Sequence, residues 1–137
     1  MSNAQPAPRD DESPIRFELD TARRLRTAIF SGVITEQALI SAYIALISDP
    51  AFEPTINDLV DLSGVTKLEV TSSGVRRVAQ MFDPLNELQT QNRLAIVAPR
   101  DDLFGMARMY EILRSDAPEE TRVCRTIEDA KAFLGVT

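Results

Sequence analysis

The chain has 137 residues, 44% of them apolar and 26% charged, with a formal net charge of -6. That length makes one domain able to bury about two thirds of its unfolded surface without staples. The acidic balance argues against nucleic acid as a partner, because such binding runs on clustered Lys and Arg.

Histidine is absent and cysteine occurs once. This removes the commonest general base, the usual nitrogen ligand for zinc, disulfides and thiolate metal cages. No apolar run approaches the roughly 18 residues of a membrane span, and no signal-peptide core opens the chain. A cytoplasmic location is expected.

Residues 1–14 are polar, with Pro6, Pro8 and the run Asp10-Asp11-Glu12. They are expected to form a disordered leader, with the folded domain over residues 15–135. Ile15-Arg16-Phe17-Glu18-Leu19 alternates, which predicts a strand with Ile15, Phe17 and Leu19 towards the core. After a turn over Asp20 to Arg23, Leu25–Phe30 predicts a second strand with Leu25, Thr27 and Ile29 on one face. So short a link makes the two an antiparallel hairpin, and Ser31-Gly32 is expected to end it.

Thr35 is placed to cap the next helix, with Glu36 in its first turn. From Leu39 to Ile47 this helix is apolar almost all round, and Asp49-Pro50 ends it. Ile56–Leu62 predicts a third strand, with Ser63-Gly64 as a turn after it. Val75, Val78, Ala79 and Phe82 have helical spacing after a start near Ser72, and Pro84 stops that helix.

Leu94 to Ala98 are five consecutive apolar residues. A strand without polar alternation is expected to be central, parallel and covered on both faces. Asp101 is expected to cap the helix carrying Leu103, Met106, Ala107, Tyr110 and Leu113. A short strand at Arg122–Arg125 leads to a last helix, opened by the box Thr126-Ile127-Glu128-Asp129 and stopped at Gly135. The order β-β-α-β-α-β-α-β-α predicts an α/β fold. It has a single-layer, mostly parallel five-stranded sheet, an N-terminal antiparallel hairpin and four helices.

Two short motifs stand out: Asp61-Leu62-Ser63-Gly64-Val65-Thr66 after the third strand, and Thr71-Ser72-Ser73-Gly74-Val75 opening a helix. With the element order, they resemble a STAS domain, the SpoIIAA-like fold of the bacterial anti-sigma-factor antagonists. The half from Arg93 to Leu134 is similar to the divergent STAS/SEC14 branch. The resemblance implies a non-enzymatic regulatory domain that binds a protein partner, such as a kinase-type anti-sigma factor, and is switched by serine phosphorylation. The family's phosphorylated serine falls on Ser72. Its preceding Asp is Thr71 here, and Lys67 to Val70 lengthen the connection by about two residues.

Ser72 and Ser73 are therefore the phospho-acceptor candidates, and Ser63, Arg76 and Arg77 the candidate contacts for a phosphate or a partner. A phosphate on the first turn of a helix would meet free backbone N–H groups and the positive end of the dipole, with Arg76 four residues on. The plainer account makes Ser72 an N-cap and Ser63 a turn residue. The arginine clusters, Arg23-Arg24 with Arg26 and Arg76-Arg77, read most simply as solvated faces.

A second reading is a carrier or sensor of a small apolar ligand, which the SEC14-like resemblance extends to lipids. Its support is the apolar surplus at Tyr43, Ile44, Ile47, Phe104, Met106, Met109 and Tyr110; a homodimer face would use the same residues. A third is an enzyme holding Mg²⁺ on Asp61, Asp101 and Asp102. No nucleophile–base pair or Gly-rich phosphate loop accompanies those carboxylates, so neither catalysis, cofactor nor metal is expected. Cys124 is expected to be a small core residue.

Overall fold

A computed structural model describes residues 13–88 and 92–136. Its elements are β1 (Ile15–Asp20), β2 (Leu25–Thr35), α1 (Glu36–Ser48), β3 (Asn57–Glu69), α2 (Ser72–Met81), β4 (Arg93–Val97), α3 (Asp101–Leu113), β5 (Glu120–Cys124) and α4 (Ile127–Leu134), with a 3₁₀ turn at Asp83–Leu85. The leader expected over residues 1–14 lies, up to residue 12, outside the described residues.

The five strands form one sheet in the order β1-β2-β3-β4-β5; β1 runs antiparallel to β2, and the later pairs are parallel. Strands added always in the same direction, with crossovers of one hand, place their crossover helices on one face. Accordingly α1, α2 and α3 share the larger core with Phe30, Leu62 and Ile96. The other face is covered by α4, which packs Ala130, Phe133 and Leu134 on Leu25, Leu59, Ala95 and Val97. β4 is buried from Leu94 through Val97, because β3 and β5 flank it and helices cover both faces.

Three expectations need correction. Ser31-Gly32 and Ser63-Gly64 do not end strands: β2 and β3 stay paired as far as Thr35 and Glu69, with register shifts between Ile29 and Ser31 and between Gly32 and Val33. Gly32 absorbs the irregularity at φ +71°. At Gly64 a Cβ would stand 3.0 Å from the Phe30 carbonyl oxygen. These glycines permit a bulge and a close approach of backbones, roles as typical of glycine in strands as chain reversal is in turns. Leu19, expected in the core, is 60% exposed; burial falls away along β1 after Ile15. Asp101 does not cap α3. Arg100 holds the cap position without a side-chain cap bond, and Asp101 is the first helical residue.

At α2 the cap is Thr71 and not Ser72, which is the first helical residue, while the caps of α1 and α4 match the sequence. The Thr35 side chain accepts from the Ala38 N–H and that of Thr126 from the Asp129 N–H, while Gly135 ends α4 in the left-handed conformation. Cys124 is buried, and burial raises its thiol pKa.

Candidate functional site

Two places in the fold bear on function. The first is a cavity of about 120 Å³ between the sheet and helices α1, α2 and α3. Its walls are mostly apolar. Leu62 and Ile96 come from the sheet, Leu39 and Tyr43 from α1, Val75 and Val78 from α2, and Met106 and Ala107 from α3. Tyr43 is fixed by edge-on contacts with Phe17 and Phe82, at 5.5 and 5.9 Å between ring centroids. A volume near that of an engineered cavity known to hold benzene accommodates a small ring or a short aliphatic group.

One end of this cavity is polar, and the sheet register explains why. Ala28, Val60, Ile96 and Val123 form a row across β2 to β5 on the three-helix face; two residues upstream the same face carries Arg26, Asp58, Leu94 and Thr121. Two further upstream, the chain reaches Asn92 before β4 and Glu119 before β5. Period-two geometry thus gathers Arg26, Asp58, Asn92 and Glu119 at the N-terminal ends of the parallel strands.

Arg26 is 6% exposed. Its Nη1 donates to Asp58 Oδ1 at 3.2 Å and its Nη2 to the Glu53 carbonyl at 2.5 Å, while its guanidinium lies 4.5 Å from the centre of the Phe52 ring. Glu119 is 5% exposed, and its Oε2 accepts from Asn92 Nδ2 at 2.7 Å. The hydroxyls of Tyr43 and Tyr110 make no hydrogen bond among the described residues, and both side chains line the cavity with Arg26, Asp58 and Glu119.

Burial pushes Asp58 up to about 6, against the lowering influence of Arg26. Burial, then the charge of Asp58, pushes Glu119 up to about 8. The same desolvation raises both phenols.

The second place is the start of α2. Thr71 is its N-cap, and its Oγ1 accepts from the Gly74 N–H at 3.1 Å. Ser72 is therefore the first residue of the helix, exposed together with Ser73, Arg76 and Arg77. Glu36, at the start of α1, accepts from the Thr71 N–H at 2.9 Å and from its hydroxyl at 2.8 Å. A Cβ on Gly74 would overlap the Glu36 carboxylate. A side-chain anion thus already occupies the mouth of α2. Those hydrogen bonds lower the Glu36 pKa, and the charge of Arg77 lowers it further.

The two candidate surfaces in the sequence separate differently. Ser63 stands in β3, and from there to Glu69 the strand extends by about 20 Å, so Ser63 is not part of a loop beside Ser72. Its hydroxyl donates to Asp61. Of the apolar candidates, Tyr43, Met106 and Tyr110 converge on the cavity, whereas Ile44, Ile47, Phe104 and Met109 do not line it. Ile44 is 52% exposed, and Phe104 lies under Arg125, 4.0 Å from its guanidinium carbon.

The three aspartates weighed for Mg²⁺ each hold another partner. Asp61 accepts from Ser63, Asp101 pairs with Arg125 at 2.8 Å, and Asp102 with Arg100 at 3.1 Å. No cluster of three metal-ligating side chains occurs among the described residues.

Arg26, Asp58 and Glu119 escaped the sequence reading, and Arg26, grouped there with a solvated face, is buried. A signal was present: Arg26-Ala28-Phe30 and Asp58-Val60-Leu62 alternate on a core-facing register, so each charge occupies a position where the period requires an apolar residue. Glu119 left no such signal, because Pro118 and its loop hide the register.

No family model matches the chain, and no curated protein matches it. Among solved structures it is similar to an uncharacterized protein of the DUF3478 family with a SpoIIAA-like fold, from Shewanella loihica PV-4. The two are 17% identical, the match covers 88% of this chain and 91% of the other, and the TM-score is 0.57. The chain is an α/β domain with a SpoIIAA-like fold. Among the described residues, no helix is long and apolar enough to cross a membrane.

Proposed function

We propose that this chain is a non-enzymatic binding domain whose cavity takes a small apolar ligand, in the manner of a sensor or carrier. The carrying observation is the cavity itself, about 120 Å³ of mostly apolar space under three helices. Natural cores are packed with few voids larger than a water molecule, so mostly apolar space of this size beneath helices has room for a small apolar guest. Native mass spectrometry and methyl NMR with added toluene test the reading. Toluene should bind at one-to-one stoichiometry and shift the Met106, Val75 and Val78 methyl signals. Unmoved signals at saturating toluene would end it.

A second reading is supported by a separate observation. Ser72 and Ser73 are exposed on the first turn of α2, and Arg76, on the same face, makes no hydrogen bond or ion pair among the described residues. This end of the helix is suited to docking a protein partner, with Ser72 as the point of regulation. A phosphate there would add about -1.5 to -2 charge beside the Glu36 carboxylate. Modification would therefore work by repelling or reorganising what docks, leaving the core intact. Intact-mass analysis of protein from its native host tests this: a phosphate on Ser72 supports it, and its absence under every growth condition sampled opposes it.

A further inference from the structure

We infer that the cavity is specific for a small apolar amine, the ammonium group seating against Glu119 and the hydrocarbon body against the α2 and α3 walls. This rests on the cavity being a ligand site, and three observations give it its chemistry.

The first is charge pairing at the polar end. Each arginine near Glu119 already has a carboxylate of its own. Arg26 holds Asp58 at 3.2 Å, and Arg114 holds Asp83 at 3.0 Å as well as the Asn86 side chain. Glu119 is the carboxylate left over. A buried carboxylate without a counterion is costly to ionise, so Glu119 keeps its proton until a cationic guest supplies the counterion that the chain does not.

The second is an unused acceptor. Glu119 is 5% exposed and lines the cavity. Asn92 takes one of its oxygens at 2.7 Å, and the other has no hydrogen-bond partner among the described residues. An ammonium donates three hydrogen bonds from a compact head. The free Glu119 oxygen, the Asp58 carboxylate and the Tyr43 and Tyr110 hydroxyls offer acceptors around that end. The third is exclusion: once Glu119 is ionised, a carboxylate guest would meet two anions, Asp58 and Glu119, with both arginines already engaged, so at pH 8 an acid is rejected where an amine is held.

The groups facing Glu119 come from every element around it: Arg26 on β2, Tyr43 on α1, Asp58 on β3, Tyr110 on α3, Arg114 after α3, and Asn92 before β4. Because burial and Asp58 hold Glu119 up to about 8, binding of an ammonium at neutral pH expels its proton, and affinity should rise from pH 6 to pH 8.

Calorimetric titration with benzylamine, toluene and phenylacetate tests the inference. At pH 8 benzylamine should bind at least tenfold more tightly than toluene, and phenylacetate more weakly than either. The advantage should shrink on going to pH 6 and disappear in a Glu119→Gln variant with unchanged circular dichroism. If toluene binds but benzylamine gains nothing over it, the amine assignment is wrong and the ligand site stands. An advantage that survives Glu119→Gln at full strength also refutes the assignment. If none of the three binds, the ligand site itself is refuted. The wild-type ratio and its pH dependence need no variant to fold.

Discussion

Glu36 and Thr71, thirty-five residues apart in the chain, are joined by two hydrogen bonds to one carboxylate oxygen, from the Thr71 N–H at 2.9 Å and its hydroxyl at 2.8 Å. The first residue of α1 thus helps to cap α2. Gly74 belongs to the same arrangement, because a side chain there would overlap the Glu36 carboxylate.

Gly74→Ala should therefore destabilise the wild type even though Ala is the better helix former by about 1 kcal/mol, since Glu36 must leave Thr71. In a Glu36→Ala background the obstacle is gone, and the same substitution should be neutral or stabilising by up to about 1 kcal/mol. Urea unfolding of the four proteins reads the change of sign. Additive effects would mean that Glu36 and Gly74 are not coupled.

Ser72→Asp places a second anion next to Glu36. A charge at a helix N-terminus contributes about 0.3–1 kcal/mol, and the nearby carboxylate opposes it, so the net effect on stability should stay within about 0.5 kcal/mol. Far-UV circular dichroism should be unchanged. A loss of several kcal/mol would show that Ser72 is more enclosed than its exposed position on the first turn of α2 implies.

Stability should fall as pH rises through the neutral range. Folding raises Glu119 from an ordinary 4.5 to about 8 and Asp58 from 3.8 to about 6. The native state thus binds more protons than the unfolded chain between about pH 4 and pH 8. By linkage, stability is greatest at the acid side of that window and declines until both groups are ionised, by a few kcal/mol in all, to order of magnitude. Urea midpoints between pH 5 and pH 9 should trace the decline, and Glu119→Gln should flatten its upper part. A midpoint that climbs with pH in the wild type would contradict the burial of these carboxylates.

Removing Arg26 should be costly and removing the pair should not. Arg26→Met leaves Asp58, whose side chain is 22% exposed, without its partner and strips the contact with Phe52, a loss on the order of 3 kcal/mol. Adding Asp58→Leu should restore most of it, because apolar replacement of a buried pair is often neutral or better. Thermal unfolding of the single and double variants separates these outcomes.

Val78→Ile adds one methylene to a wall of the cavity. Overpacking a filled core costs about 1–3 kcal/mol, whereas filling a void gains up to about 0.8 kcal/mol. A gain in stability accompanied by weaker toluene binding is expected. Destabilisation would mean that the space is too small to matter.

The element order, the buried β4, two of the four helix N-caps and the mostly parallel sheet were legible because each depends on neighbours along the chain. Apolar alternation, a Thr before a helix and a Gly after one act within a single turn or strand. Where the reading failed, a long-range partner decided. Ser31-Gly32 and Ser63-Gly64 look like turns alone, and become bulges because each strand has the other beside it. Asp101 looks like a cap, but α3 starts one residue earlier than that reading requires, with Arg100 at the cap and Asp101 paired with Arg125.

What the sequence determined by itself was therefore an α/β layered fold with Ser72 on an exposed helical turn, since local propensity and periodicity suffice for both. Only the tertiary structure decided that Glu36 closes the mouth of α2 and that Arg26, Asp58 and Glu119 meet at the end of a cavity. Those groups lie far apart in the chain, and strand register and helix packing bring them within reach of one another. Burial then sets their charge states, because the cost of an ion depends on what surrounds it rather than on which residues precede it.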